Sequence, residues 1–269
     1  MAVAAVQPPR ATCADPAGGR WVRAANFAIA CPEVRAGDRL ARAAHPDEYL
    51  ALLLGTGAAV HSASGTLRAP ADALVIVEPG DSSIEPEGDG RVVLVVTTRS
   101  DDVARESVNA QAYATRPQAV APLPERPTEP IAAGTRAHAL ADHPAGEGEM
   151  RVFRSGDLMI NVFGPRHSRR DPARLSPHWH DDFEQGSVVL AGDWTHHLRY
   201  PWTPDSGAWR PDEHVRCGAP SVTIIPAGVE HTSQDAGEGM SWLVDVFAPP
   251  RADFLARGLV RNAAEYPSA

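Results

Sequence analysis

Short apolar runs broken by glycine, proline and aspartate make up most of the chain. Six of these runs have the length and composition of strands: residues 73–78, 91–97, 158–163, 187–190, 221–225 and 242–247. Many short strands with turn residues between them are typical of β-sandwiches and β-barrels. The pattern therefore predicts an all-β fold with a few short helices.

Helical periodicity is confined to three segments. Residues 46–54 and 101–113 are helix candidates, the second because its leading acidic residues suit a helix N-terminus. A further short helix is expected near the C-terminus, with Asp253 as its N-cap.

A proline-rich segment, residues 115–135, divides the chain. It contains five prolines and little apolar periodicity, which is typical of an extended linker. The two sides resemble each other, since an acidic pair and an aromatic residue lead into an apolar strand ending at glycine in 47–55 and again in 181–192. We therefore predict two domains, residues 1–114 and 136–269, joined by the linker.

Charge and composition exclude several classes of function. The formal net charge of −9 argues against nucleic-acid and membrane-surface partners. All 25 basic residues are arginine, which excludes a Schiff-base lysine and the lysine of a P-loop. Three cysteines without a CxxC pair predict neither a disulfide framework nor a zinc ribbon. No signal peptide or membrane-length apolar run is found, so a cytoplasmic protein is expected.

The segment PHWHDDFEQGSVVLAG, residues 177–192, carries the most informative polar side chains. Successive side chains on a strand point to opposite faces, so His178 and His180 share one face. Glu184 follows four residues later and can rejoin that face where the next strand starts. Two imidazoles and one carboxylate leave open coordination positions on a transition metal, as a catalytic metal requires.

A fourth candidate ligand, His231, follows the strand at 221–225 and a turn at Pro226-Ala227-Gly228. A lone histidine is usually a surface residue or a satisfied core residue, and an isolated HxH pair is weak support for a metal. HxHxxxE followed by PxGxxH on predicted strands is far more specific. The sequence predicts one divalent transition metal, with the ligands His178, His180, Glu184 and His231.

These two segments resemble the two conserved motifs of the cupin superfamily, G-x5-HxH-x3,4-E-x6-G and G-x5-PxG-x2-H-x3-N. The four candidate ligands fall on the metal-ligand positions of the family. The resemblance implies a jelly-roll β-barrel that holds a divalent metal in the C-terminal half.

The spacing departs from the cupin motifs in four places. Pro172 stands at the first glycine position, and seven residues rather than six separate Glu184 from Gly192. In the second motif, seven residues rather than five separate Gly218 from Pro226, and Asp235 replaces the final asparagine. We interpret these departures as changes of loop length.

The N-terminal half resembles a cupin that has lost its ligands, which makes the whole chain similar to a bicupin. Ligand positions of its first motif hold His45, Glu48 and Leu50, and Ser82 and Ser83 follow the turn of its second. No metal is expected there. Packing, sheet extension or dimerisation are the roles implied for this half, and the resemblance allows a homodimer.

The strand after Gly192 supplies candidate substrate-binding residues. Alternation places His197 and Arg199 on one face and Trp194 and Tyr200 on the other, and the pattern does not decide which face is inward. An inward His197–Arg199 pair would bind an anionic substrate, whereas an outward pair would form surface salt bridges.

Two further candidates lie outside this strand. Trp202 begins a long loop, residues 201–217, which also holds Trp209. Such a loop can cover a pocket, although core packing of its tryptophans is favoured. Asn161, on the strand at 158–163, is also a pocket candidate.

The cupin fold hosts many chemistries and does not decide function. The leading hypothesis is an Fe(II)-dependent dioxygenase acting on a small polar or anionic substrate, with Glu184 in the metal set. A non-redox isomerase or lyase with Mn, Ni or Zn, in which Glu184 or a pocket histidine moves a proton, stays open. A non-catalytic sensor for a small ligand is the third reading.

Overall fold

The structure, a computed structural model, describes residues 7–267. The elements before the linker are β1 Thr12–Ala14, β2 Val22–Arg23, β3 Phe27–Ala30, β4 Glu33–Val34, β5 Leu40–His45, β6 Tyr49–Leu54, β7 Ala58–Ser62, β8 Gly65–Ala69, β9 Ala73–Val77, β10 Gly80–Pro86, β11 Gly90–Thr97 and α1 Asp101–Glu106. The elements after it are β12 Arg136–Ala139, β13 Val152–Arg154, β14 Met159–Val162, β15 Gln185–Ala191, β16 Asp193–Arg199, β17 Glu213–Gly218, β18 Ser221–Ile225, β19 Glu230–Asp235, β20 Trp242–Phe247 and α2 Ala252–Ala256.

The all-β prediction is confirmed, and the six predicted strands correspond to β9, β11, β14, β15, β18 and β20. The predicted helix at 46–54 is wrong, because its apolar part forms β6. This strand lies between β9 and β11 and is buried on both faces, so its continuous apolar run does not show the alternation of a half-exposed strand.

The other two predicted helices are shorter than expected. The helix from Asp101 ends at Glu106, and Ala110–Tyr113 forms a separate 3₁₀ turn. In the C-terminal helix the N-cap is Arg251, and Asp253 lies within the first turn.

Four antiparallel sheets make up the jelly-roll fold. The first half of the chain forms most of a large sheet, ordered β12-β9-β6-β11-β3-β2 with β4 beside β11, and a small one, β5-β10-β7-β8. The second half forms most of a large sheet, β1-β18-β15-β20-β14-β13, and a small one, β17-β16-β19. We call the large and small sheets of each half the first and the second sheet pair.

Each sheet pair receives an edge strand from the other half of the chain. Strand β1 pairs with β18 in the second pair, and β12 pairs with β9 in the first. The division into residues 1–114, 115–135 and 136–269 stays a prediction, and these two strands cross it. Residues 115–135 contain no helix or strand.

The sequence predicts no disulfide framework, but the structure contains one disulfide. Cys13 on β1 is bonded to Cys217 on β17, 204 residues away in sequence. Both cysteines lie next to Thr223 of β18. Thr223 is the strand partner of Cys13, and its Oγ1 lies 3.4 Å from Cys217 Sγ. This contact exists only because β1 joins the second sheet pair. Cys31 is free and buried, and burial raises the pKa of its thiol to about 12.

The two large sheets pack against each other through one shared hydrophobic core. Alternate residues of the central strands supply it: Leu50, Leu52, Val93 and Val95 from the first pair, and Val188, Leu190, Val244 and Val246 from the second. Gly186 lies at the closest approach, since a Cβ there would be 2.8 Å from Ile29 Cδ1 and 2.8 Å from Phe27 Cε2. Only glycine fits at this position without displacing the facing side chains.

The opposite faces of the large sheets look inward to their own sheet pair. In the first pair this interior is apolar, filled by residues such as Tyr49, Ala51 and Leu53. In the second pair the equivalent strand, β15, presents Gln185 and Ser187, and both are buried. The second interior is therefore the polar one.

No helix within residues 7–267 is long and apolar enough to cross a bilayer. The expected absence of a signal peptide concerns the N-terminus, of which residues 1–6 lie outside the described range.

The substitution Leu52→Ala should destabilise both sheet pairs together. Leu52 is fully buried in the shared core, and such a truncation costs about 2–5 kcal/mol. Urea unfolding, followed by circular dichroism and tryptophan fluorescence, should shift to lower urea as one transition. Leu175→Ala, at a half-buried leucine outside the core, is the matched control. Two separate transitions, only one of them shifted, would contradict a shared core.

Candidate metal centre

Three histidines come together at the edge of the interior of the second sheet pair, with His180 and His231 buried and His178 exposed. The backbones of His178 and His231 exchange two hydrogen bonds, of 3.0 and 2.8 Å, and Gly228 N donates to His180 O at 2.7 Å. These bonds fix the loop before β15 against the start of β19. The ring nitrogens of His178, His180 and His231 that face one another all lie within 4.8 Å.

The hydrogen bonds of two of these imidazoles leave Nε2 available to a metal. His178 Nδ1 lies 2.9 Å from Ser176 O, and His231 Nδ1 lies 2.9 Å from Val229 O. A carbonyl oxygen only accepts, so Nδ1 carries the proton and Nε2 keeps its lone pair. His231 Nε2 is buried without any hydrogen-bond partner among residues 7–267. An orphaned imidazole nitrogen facing two others fits a bound metal ion.

The third imidazole, that of His180, is hydrogen-bonded at both nitrogens. Arg251 Nη1 donates to its Nδ1 at 3.2 Å, and its Nε2 donates to Gln185 Oε1 at 3.1 Å. Metal binding through Nε2 requires this imidazole to give up its bond to Gln185. The amide of Gln185 is oriented by its own donors, since Nε2 bonds to Ser187 Oγ and Asp245 Oδ1. Its Oε1 therefore points to the histidines.

The structure does not bring Glu184 into the histidine group, which corrects its interpretation as a ligand and as a catalytic residue. The carboxylate is buried on the opposite face of the strand, where it accepts hydrogen bonds from Ala25 N at 2.6 Å and Tyr113 Oη at 2.9 Å. Burial raises the pKa of Glu184, and these two bonds oppose the shift. The strand begins at Gln185, so strand alternation places Gln185, and not Glu184, on the inner face.

A signal for Gln185 was present in the sequence. Six residues separate it from Gly192, which is the spacing of the cupin motif, whereas seven separate Glu184 from that glycine. Counting back from Ser187 along the strand also puts Gln185 on the inner face. The departure that we interpreted as a change of loop length marks instead a one-residue shift of the candidate ligand, to a glutamine.

A cavity of about 320 Å³ opens from the histidine group. Its floor includes Asp245 on β20, paired in register with Asn161 on β14 and with Ser187 on β15. Asp245 accepts hydrogen bonds from Ser187 Oγ at 2.7 Å and from Gln185 Nε2 at 3.2 Å. The pattern of residues 242–247 did hold a signal for it, namely a single charged residue inside an apolar strand.

Burial controls protonation around this cavity. It lowers the pKa of His180 to about 3 and that of His231 to about 4, so both imidazoles are neutral at neutral pH. Burial also raises the pKa of Asp245 to about 7, which Ser187 opposes by its hydrogen bond. Neutral imidazoles are the form that binds a metal.

The cavity is bordered by cationic side chains that the sequence analysis did not single out. Arg251 lies over the rings of Phe183 and Phe254, 4.9 and 4.3 Å from their centroids, and pairs with Asp253 at 2.7 Å. Arg166 and Arg170 also line the cavity. They belong to a loop without a recognisable motif, so only the fold brings them here.

The structure places the predicted His197–Arg199 pair outside the barrel, which corrects the hypothesis that it faces the substrate. On β16 the buried residues are Trp194, His196 and Leu198, so the alternate positions face outward. His197 contacts His214 and Gln234, and Arg199 forms a surface salt bridge with Asp212 at 2.6 Å. The surface alternative stated for this pair is the arrangement observed.

The other predicted substrate residues are divided between two places. Trp194 and Asn161 line the cavity beside the histidines. Tyr200 and Trp202 line a separate open cleft of about 570 Å³, together with Arg199. Trp202 is 77% exposed and stacks on Trp209, which is 42% exposed, at 4.5 Å between ring centroids. The expectation that these two tryptophans pack in the core is wrong.

The ligand positions of the first half hold side chains with other partners. Glu48 bonds to Arg136 Nη2 at 2.7 Å and to Tyr266 Oη at 2.8 Å. His45 bonds through Nδ1 to Ser100 Oγ at 3.0 Å, and Leu50 lies in the shared core.

Comparisons with known proteins support the fold. No family model matches the chain, and no curated protein matches its sequence. Among solved structures, oxalate decarboxylase from Lactobacillus farciminis is 15% identical with a TM-score of 0.51, covering 84% of this chain and 78% of that one. A point mutant of Bacillus subtilis oxalate decarboxylase is 13% identical with a TM-score of 0.55, covering 84% and 70%. AerE from Microcystis aeruginosa is 8% identical with a TM-score of 0.51, covering 83% and 87%.

The chain therefore shares its fold with oxalate decarboxylases, and this fold agrees with the jelly roll that the resemblance to the cupin motifs implies. At these identities the likeness concerns the fold alone.

Two substitutions at adjacent residues distinguish the candidate ligands. Gln185→Leu removes the oxygen that faces the histidines and should raise the Kd for Mn(II) about tenfold or more. Glu184→Gln should retain the metal, because that side chain points away from the group. Chelator competition and elemental analysis measure both variants, and thermal melting verifies their folding. Metal loss in Glu184→Gln alone would restore Glu184 as the ligand.

The buried His196 should make stability depend on pH. Burial lowers its pKa from 6.5 to about 4 in the folded chain, so only the unfolded chain takes up a proton between these values. Its contribution to stability is complete above pH 6.5 and is lost as the pH falls, by about 2 kcal/mol at pH 5. In His196→Phe the free energy of unfolding should therefore fall less between pH 7 and pH 5 than in the wild type. Urea titrations at the two pH values measure this, and equal losses would contradict it.

Proposed function

We propose that this protein is an enzyme that binds one divalent transition metal in its second sheet pair. It converts a small anionic substrate without redox change, as an isomerase or a lyase. The observation that carries this proposal is the shared cavity. Three imidazoles lie within 4.8 Å of one another, and two of them, those of His178 and His231, line the same space of about 320 Å³ as the carboxyl group of Asp245. A cavity of this size suits a small molecule.

His178, His180, His231 and the amide oxygen of Gln185 would hold the metal. Imidazole nitrogens together with an amide oxygen suit Mn, Fe, Ni or Zn, all of which leave positions for substrate oxygens. A metal bound there would act as a Lewis acid on a substrate oxygen.

Asp245 is the residue proposed to hold or move a proton. Its carboxyl group lines the cavity and is oriented by Ser187 and Gln185, so the substrate can reach it without any movement of the strands. We assign the transfer of a proton to Asp245 and not to Glu184 or a pocket histidine, because Glu184 faces the other half of the chain.

The solved structures of similar fold support the non-redox class. Those structures include oxalate decarboxylases, one in a formate complex, and one study of the Bacillus subtilis protein concerns its Mn(II) centres. Their named substrate is a small dicarboxylate, which agrees with the arginines around this cavity.

An Fe(II)-dependent dioxygenase is the second candidate. It is favoured by the three imidazoles, which leave several coordination positions open towards the cavity. The dioxygenase requires O2, whereas the non-redox isomerase or lyase does not.

The experiment compares protein reloaded with Mn(II), Fe(II) or Zn(II), under nitrogen and in air, over a panel of small carboxylic, hydroxy and keto acids followed by NMR. We expect metal-dependent turnover under nitrogen. His178→Ala should lose metal and turnover together, whereas Asp245→Asn should keep its metal and lose about 100-fold or more in kcat.

Two other outcomes would favour a different function. Turnover only in air, with Fe(II) and with O2 uptake, would overturn the non-redox proposal in favour of the dioxygenase. Tight binding of a panel member without turnover under any condition would favour the sensor.

A further inference from the structure

Two arginines of the loop between β14 and β15 reach the metal cavity from the same side. Arg170 is held in place by three hydrogen bonds: its Nη1 donates to Ser233 O at 2.7 Å, its Nη2 to Ser176 Oγ at 2.6 Å, and its backbone N to Asp235 Oδ1 at 2.9 Å. The two side-chain bonds fix its guanidinium at the cavity wall. Burial and the neighbouring Arg166 lower the pKa of Arg170.

Arg166 is anchored by its backbone but not by its guanidinium group. Its backbone exchanges two hydrogen bonds of 2.9 Å with Ser241. Its guanidinium lies against Gly148, where an added Cβ would meet Nη2 at 2.1 Å. Within residues 7–267 no acceptor receives a hydrogen bond from this guanidinium. The group therefore has five N–H donors available at the wall of the cavity.

The charges that line the cavity are unbalanced. Three guanidinium groups face it, and Asp245 is the carboxyl group among its lining residues. Arg251 is already paired with Asp253, outside the lining, and Asp245 is engaged by Ser187 and Gln185. Burial lowers the pKa of Arg170, and Arg166 lies close enough to lower it further, whereas the nearby carboxylates of Asp235 and Asp245 raise it. Within residues 7–267 neither carboxylate forms an ion pair with these two arginines, and two adjacent cations are stabilised by a shared anion.

We propose that Arg166 and Arg170 form an anion subsite that binds one carboxylate of a small dicarboxylate, whose other carboxylate lies towards the three histidines. The planar fork of Arg166 matches the two oxygens of a carboxylate. The subsite needs no metal, whereas the placement of the second carboxylate rests on the proposed function.

The test uses the full-length protein freed of metal by a chelator and dialysis, with malonate as the probe in isothermal titration calorimetry. Metal-free protein should bind malonate, and Arg166→Gln should weaken this binding about tenfold or more. Arg166→Lys, which keeps the charge without the fork, should fall between the two.

Arg169→Gln is the matched control. This neighbouring arginine is exposed and donates to Gly237 O and Ala236 O outside the cavity lining, so its substitution should leave malonate binding unchanged. Equal malonate affinity of wild type and Arg166→Gln, or no binding by metal-free wild type, would overturn the subsite.

A separate measurement keeps the two proposals distinguishable. Elemental analysis of reloaded Arg166→Gln should show the metal content of the wild type, since this residue does not contact the histidines. Failure of malonate binding with metal retained refutes the subsite alone. Absence of metal from the wild type refutes the proposed function and leaves the subsite to the calorimetry.

Discussion

The face-to-face packing of the two large sheets is the constraint on which the rest of the structure depends. It requires one apolar face on each central strand, and Gly186 provides the close approach of Phe27 and Ile29. Because side chains alternate along a strand, the same packing decides which residues remain for the interiors. On β15, Val188 and Leu190 lie in the shared core, and Gln185 and Ser187 face the interior of the second sheet pair.

The first half of the chain and the segment that follows it make direct contact with the loop that carries His178 and His180. Glu184 reaches across to Ala25 N and Tyr113 Oη, and Ala121 N donates to Asp182 O at 2.8 Å. The loop that carries two of the histidines is thus held from outside its own barrel. These contacts give the apolar first pair a structural role.

The sequence predicted what depends on local pattern. The six strands and the three histidines followed from alternation and motif spacing, and the strand at 49–54 failed because an apolar run buried on both faces has no period. Gln185 was recoverable from its spacing to Gly192. In contrast, the cavity position of Arg166 and the pairing of Cys13 depend on contacts between distant segments, and no local pattern records such contacts.

The exchange of edge strands has a consequence for the synthesis of the chain. Cys13 leaves the ribosome 204 residues before its partner Cys217, which at about 5–20 residues per second is an interval of roughly 10–40 s. During that interval β1 has no strand to pair with, while the first large sheet likewise lacks β12 until residue 139 has been made. Neither large sheet can be completed by one half alone, and the second large sheet also needs β20, so the native arrangement is reached only after translation has passed β20.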